Sequence, residues 1–171
     1  TKSVQKAADI PMLFTQIRQP ETDYLAVPEV SSEKRRYIPI GYLSADVIGS
    51  NKLYMISNAT LYMFGVLTSN VHMAWMRVVA GRLEMRYSYS PAVYNNFPWC
   101  NPTPEQKANI EKTAQAILDA RAKYPDCSLA DLYDETTMPP ELRKGTSGND
   151  FAVMVPTALT GKSQRASAWR S

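Results

Sequence analysis

The sequence predicts an α+β fold: a mixed β-sheet with helices over residues 20–100, a small helical domain over 101–155, and a disordered tail over 156–171. Three observations predict it. Short aromatic and β-branched segments alternate with turn residues before residue 60, apolar residues recur at spacings of three and four from Thr60 to Val79, and side-chain caps open further helices after Thr103. With 171 residues, of which 44% are hydrophobic, the chain can bury one core and has no room for a large multidomain enzyme.

The opening, residues 1–19, is expected to be an incoming linker, since Lys2 to Ala8 is short and polar and Pro11 breaks any helix there; structure is expected to begin near Phe14. Tyr24 to Val27, Tyr37 to Tyr42 and Leu53 to Ile56 read as strands, separated by Pro28, the polar run 31–36 and Gly49-Ser50-Asn51. Pro39 demotes the second strand to an edge or a bulge. Leu61, Phe64 and Leu67, then Val71, Trp75 and Val78, give two helical pieces, with Ser69-Asn70 able to cap the second. Gly81-Arg82 closes that helix. Leu83 to Tyr89 alternates at period two, so Glu84, Arg86 and Ser88 share one face of the expected strand.

Tyr94 to Trp99 reads as a packed turn anchored by Phe97 and Trp99. Thr103-Pro104-Glu105-Gln106 supplies a cap, a first-turn proline and a third-position Gln for a helix through Ile110, Ala114, Ile117 and Arg121. Ser128 with Asp131 opens a short helix, and Pro139-Pro140 starts another at Glu141 to Lys144. Pro156 to Ser171, rich in Ser, Thr, Ala, Gly and Arg, has no period and no acid, and its lone Trp169 is out of keeping with that composition.

Composition excludes several classes. No apolar run reaches the roughly 18 residues of a membrane span, and Thr1 to Val4 has neither an initiator Met nor the apolar stretch of a secretory signal, so a soluble, cytoplasmic piece of a longer chain is expected. Cys100 and Cys127 form no CxxC pair, and His72 is the only histidine, which argues against Cys-rich zinc sites and excludes multi-histidine metal sites; no metal ligands are assigned. His72 reads as a half-buried helix residue, and Met55, Met63, Met73 and Met76 as core filler. Charge divides unevenly: 10 Lys and Arg against 7 Asp and Glu in residues 1–100, 6 against 9 in 101–155, and 3 against none thereafter. A net charge of +3 permits a polyanionic partner without requiring one.

Ser31-Ser32-Glu33-Lys34-Arg35-Arg36-Tyr37 carries hydroxyl donors and three consecutive cations, equipment for phosphate oxygens or the makings of a solvated loop. Arg82 suits either a phosphate or the end of its helix. Glu84 and Arg86, two apart on one strand face, could accept from a cytosine amino group and donate to guanine in a major groove; opposite charges at this spacing also occur on wet strands.

Pro28 to Pro39, Gly81-Arg82-Leu83 and Tyr94 to Trp99 together resemble the target-recognition region of the single-chain Type IIL restriction-modification enzymes, which are S-adenosylmethionine-dependent DNA adenine methyltransferases. Glu105 to Asp119, Ser128 to Asp134 and Met138 to Lys144 resemble that family's small C-terminal helical domain. The resemblance covers about residues 20–155 in matching order and spacing. It implies that 20–100 recognises a sequence in double-stranded DNA beside an upstream methyltransferase domain of the same parent chain. Within the family the strand after the Gly-Arg corner helps specify bases, which points to Glu84 and Arg86; Lys34, Arg35 and Arg36, with Ser31, Ser32 and Arg82, become candidate phosphate contacts.

The family's Gly-rich cofactor turn, Asn-Pro-Pro-aromatic catalytic motif and nuclease motif have no counterpart here, so no catalytic residue and no cofactor are assigned to this fragment; S-adenosylmethionine belongs to the parent. The sequence departs from the family at Cys100, where proline is expected, and around Gly145 to Gly148. From Pro156 to Ser167, reading one frame over permits Tyr-Gly-Phe-Asp-Trp-Lys-Val-Thr-Glu-Ser-Glu, which resembles the family's usual ending and points to a frameshift. The competing reading, from a different class, is a non-catalytic protein-interaction domain whose basic loop is incidental.

Overall fold

Buried apolar residues from both halves of the chain meet around Phe64, Met73, Met76, Ile117 and Leu142, so the β-rich region and the helical region share one interior. The computed structural model describes residues 18–168, with side chains through Thr157. Residues 1–17 of the linker expected over 1–19, with the start expected near Phe14, and Trp169 fall outside the described residues.

The fold is α+β, as predicted, but its strands divide into two antiparallel three-stranded sheets where a single mixed sheet is expected. The first has the order β3-β1-β4, built from β1 (Tyr24–Pro28), β3 (Gly41–Leu43) and β4 (Leu53–Ser57). Leu25 sits opposite both Tyr42 and Ile56. The second has the order β2-β6-β5: β2 (Val30–Ser32), β5 (Gly81–Leu83) and β6 (Arg86–Ser88). Only Glu29 separates β1 from β2, so one continuous stretch serves both sheets.

The expected strand Tyr37 to Tyr42 enters the ladder only at Gly41; before it the chain bends at Tyr37, and the Ile40 N–H turns back to the Ile38 carbonyl at 2.8 Å. Pro39 has no N–H to donate, and the Ile40 carbonyl accepts instead from Arg121 Nη1 at 2.8 Å. Tyr37, Ile38 and Ile40 are buried regardless.

Two capped helices follow the first sheet. Thr60 and Ser69 accept from the backbone N–H groups of Met63 and His72, opening α1 (Leu61–Leu67) and α2 (Asn70–Val79) where the spacing predicts them. A short α3 (Pro91–Asn95) leads into the aromatic turn, where Phe97 packs edge-on to His72, Trp75 and Trp99. Met73 and Met76 are core, as expected, whereas Met55 and Met63 are only half-buried.

The helical region consists of α4 (Pro104–Ala122), α5 (Leu129–Leu132) and α6 (Pro140–Ala168). Thr103 and Gln106 form the reciprocal capping box read in the sequence, and Ser128 caps α5. α6 continues well past the expected Glu141 to Lys144 piece and runs through Pro156, which is buried, to Ala168. The helical backbone thus extends through the segment predicted to lack regular structure, although the side chains after Thr157 lie outside the described residues. Among the described residues, no helix is long and apolar enough to cross a membrane.

α1 packs closely on α4 and α6 at Gly65. A Cβ there would lie 2.8 Å from Ile110 Cγ2, 3.0 Å from Asn149 Oδ1 and 3.2 Å from the Ala114 Cβ. Gly148, on α6, is the opposite case, since a Cβ there meets nothing within 4 Å. Gly65→Ala is therefore expected to destabilise by about 1–3 kcal/mol through overpacking. Gly148→Ala should stabilise by about 0.5–1 kcal/mol by relieving a glycine inside a helix. Urea unfolding at constant m-value reads both, and shifts of the same sign would contradict this account of the helix junction.

Candidate nucleic-acid interface

Polar loop residues after β2 and the hairpin between β5 and β6 come together because β6 pairs with both neighbouring strands. Only Glu84 and Met85 lie between β5 and β6, so the continuous strand predicted over 83–89 is instead a tight hairpin, with Leu83 opposite Arg86. Glu84 has φ 54°, the left-handed region that a two-residue turn demands at its first position and that glycine usually fills. The missing glycine is what made this turn read as strand.

Glu84 and Arg86 therefore do not project side by side from one strand face. They do converge at the hairpin tip, where Arg86 Nη2 donates to Glu84 Oε2 at 3.2 Å, with side chains 49% and 78% exposed. Arg82 lies against Tyr87, its guanidinium 4.6 Å from the ring centre, and Nη1 donates to Glu33 Oε2 at 2.6 Å. The Glu33 N–H donates to the Met85 carbonyl at 3.3 Å, tying the loop to the turn.

The other candidates separate by burial. Lys34 and Arg36 are exposed, and Arg36 stands 5.5 Å from the Tyr37 ring centre. Arg35 is half-buried, and its Nε has no hydrogen-bond partner. Ser32 Oγ accepts from the Lys34 N–H. Ser31 is buried opposite Tyr87 in the sheet, and its Oγ has no hydrogen-bond partner.

Beside the loop, Ser32, Lys34 and Arg35 face Asp134, Glu135 and Thr136 across a pocket of about 350 Å³. Hydrogen bonds from Thr136 hold the Asp134 carboxyl below its ordinary range, and Arg35 and Lys34 add to the effect. The basic loop thus has an acidic neighbour from the helical region that its own composition does not reveal.

For three further polar residues the sequence does not reveal the partners, which are distant in the chain. Arg121 lies between Phe64 and Tyr133, 5.0 Å and 4.9 Å from their ring centres. Tyr37 donates to Asp150 Oδ2 at 2.6 Å, and the other carboxylate oxygen accepts from the Asn70 N–H at 2.7 Å. Burial and the Asp150 hydrogen bond push the Tyr37 hydroxyl up to about 12, while burial raises the Asp150 carboxyl. These groups are structural and stand apart from the hairpin tip.

Profiles of known families divide the chain in two: that of the MmeI target recognition domain matches residues 1–101, and that of the MmeI C-terminal domain matches residues 102–164. The chain belongs to the MmeI family. The second match continues past Pro156, where the reading frame is expected to change. A DNA methyltransferase A of Bacillus subtilis (strain 168) is 41% identical over 143 residues, which make up 83% of this chain and 16% of that relative. The Type IIL restriction-modification enzyme MmeI, whose structure was solved in complex with DNA, is 50% identical with a TM-score of 0.82, over 92% of this chain and 21% of its own. The chain therefore spans a minor part of both relatives. In this MmeI-family chain the hairpin and basic loop lie within the target-recognition match.

Among the described residues, no three His, Cys, Asp or Glu side chains are grouped to hold a metal ion. Cys127 is exposed and Cys100 half-buried, and both are free thiols. His72 is fully buried rather than half-buried; its Nε2 lies 3.1 Å from the Tyr89 hydroxyl and its Nδ1 has no partner. Burial lowers its pKa to about 4. The unfolded chain, with an ordinary value near 6.5, takes up a proton first, so this contribution to stability is whole above pH 6.5 and is lost as the pH falls toward 4. Urea unfolding across this window should show wild type losing up to about 1.4 kcal/mol per pH unit relative to His72→Gln. Parallel curves would assign the acid sensitivity elsewhere.

Proposed function

We propose that this chain supplies sequence-specific recognition of double-stranded DNA to a longer cytoplasmic DNA methyltransferase of a restriction-modification system. The observation that carries the proposal is the agreement, in both sequence and fold, with an enzyme whose structure was determined on DNA. The hairpin tip and basic loop supply chemistry suited to it.

In this reading the Glu84 carboxylate accepts from the amino group of cytosine and the Arg86 guanidinium donates to its paired guanine, so one base pair is read in one orientation. In the free chain the two groups pair with each other and are already displayed at the surface. In the same reading Lys34 and Arg36, both exposed, meet backbone phosphates, with the half-buried Arg35 and Ser32 at the margin. The upstream methyltransferase domain of the parent is the partner that carries out the amino-group transfer on a base flipped from the duplex.

S-adenosylmethionine does not fit the residues present. None of the described glycines forms a Gly-rich turn between a strand and a following helix; Gly41 and Gly81 lie within strands and Gly65 within α1. The cofactor is assigned to the parent's upstream part.

Duplex binding by the chain is expected to weaken steeply with salt as condensed counterions are released. Replacing Lys34, Arg35 and Arg36 with Ala should flatten the slope of log affinity against log salt by about 0.9 per lost phosphate contact. An unchanged slope in a mobility-shift series would return the loop to an ordinary solvated surface. In a full-length enzyme carrying this segment, Glu84→Lys with Arg86→Asp should reverse the preferred orientation of one base pair, each wrong pair costing about 1–3 kcal/mol. Mapping methylated sites checks this, and identical site preferences with altered total activity would remove the pair from base reading.

A further inference from the structure

We propose that Glu33 and Arg82 are a positioning pair: they set where the hairpin tip meets the DNA, and Arg82 does not serve as a phosphate ligand. The proposal rests on the DNA-reading assignment above and adds two residues to the determinants of specificity.

Three observations carry it. The first is placement across the sheet. In the order β2-β6-β5, Arg82 sits opposite Tyr87, which in turn sits opposite Ser31. The Arg82 side chain lies over the Tyr87 ring and reaches Glu33, just beyond the end of β2, so a single side chain spans the width of the sheet. The second is that residue 33 holds the hairpin twice: its carboxylate takes Arg82 on β5, and its N–H donates to the carbonyl of Met85 in the turn itself.

The third is charge. A carboxylate beside a polyanion is repelled unless a cation neutralises it. This surface displays two acids near the tip, Glu33 and Glu84, and each is paired with an arginine of the same hairpin. The pairs differ in exposure. Glu84 is 78% exposed and available to a base, whereas Glu33 is 28% exposed and committed to Arg82 and the turn. The Arg82 side chain is 51% exposed, but its Nη1 is held by the Glu33 carboxylate and one face lies on the Tyr87 ring, which ties the guanidinium to the sheet.

The test uses the intact chain with a pool of DNA duplexes carrying randomised central positions, sequencing the bound fraction. Wild type is compared with Glu33→Gln, Arg82→Gln and the charge exchange Glu33→Arg with Arg82→Glu. Each single variant is expected to lower the preference at the base pair read by Glu84 and Arg86 by about two- to five-fold, the scale of one exposed ion pair. Preferences at other positions should hold, and the exchange should return the affected one toward wild type. The salt slope of Arg82→Gln should equal that of wild type. Unchanged preferences, a uniform loss of affinity for all sequences, or failure of the exchange to rescue would overturn the proposal. A slope flattened by about 0.9 in Arg82→Gln would do so as well, by making Arg82 a phosphate contact. A wild-type chain that selects no sequence at all would instead overturn the DNA-reading assignment.

Discussion

Two consecutive polar residues in the interior of α6, Asn149 and Asp150, are buried where apolar side chains would ordinarily lie. Asn149 donates to the Gly65 carbonyl at 2.7 Å and accepts from Thr113, joining α6 to α1 and α4. Asp150 accepts from the first N–H of α2 and from Tyr37, joining α6 to the segment that follows the basic loop. A buried polar group left without its partner costs about 1–3 kcal/mol. Sliding or separating the helical region would strand several at once. The surrounding apolar surface is non-directional and would tolerate several arrangements; these directional bonds select one. Gly65 completes the constraint, because only a residue without a Cβ lets the Asn149 amide come so close to the α1 backbone.

The same two residues explain what the sequence concealed. The buried face of α6 runs through Leu142, Thr146, Asn149, Ala152 and Val153, a regular helical stripe. Its middle members are polar, with Gly145 before and Gly148 between them, so a search for apolar periodicity loses the helix after Lys144. By contrast α4 announces itself, with a capping box at one end and Ile110, Ala114 and Ile117 at helical spacing. Strands β1 and β4 were legible from their β-branched and aromatic content. β2, only three residues long and two of them Ser, was not.

At the candidate interface, residue types were legible and geometry was not. The loop's cations and the Glu84 and Arg86 pair stand out in the sequence as chemistry suited to DNA. That Ser31 turns inward, that Arg82 is engaged by Glu33, and that Glu84 occupies a turn all depend on strand pairing. The pairing brings together residues 49 positions apart, beyond the reach of local pattern. The apparent period-two alternation from Leu83 to Tyr89 is genuine on β6 and accidental before it. A turn without glycine leaves no mark to separate the two.

The hairpin tip has a consequence for how such a protein diversifies. Residues 81 to 86 are all exposed, and the first core residue on this hairpin is Tyr87. Substitutions at sites outside a packed interior usually change stability by no more than about 0.5 kcal/mol. Apart from Glu84, whose left-handed backbone limits its replacements, random mutation at the tip can therefore sample new side chains at little cost in folding. The scaffold stays fixed by contacts made elsewhere, so chains of this fold can differ in the side chains of the tip while remaining superimposable in backbone.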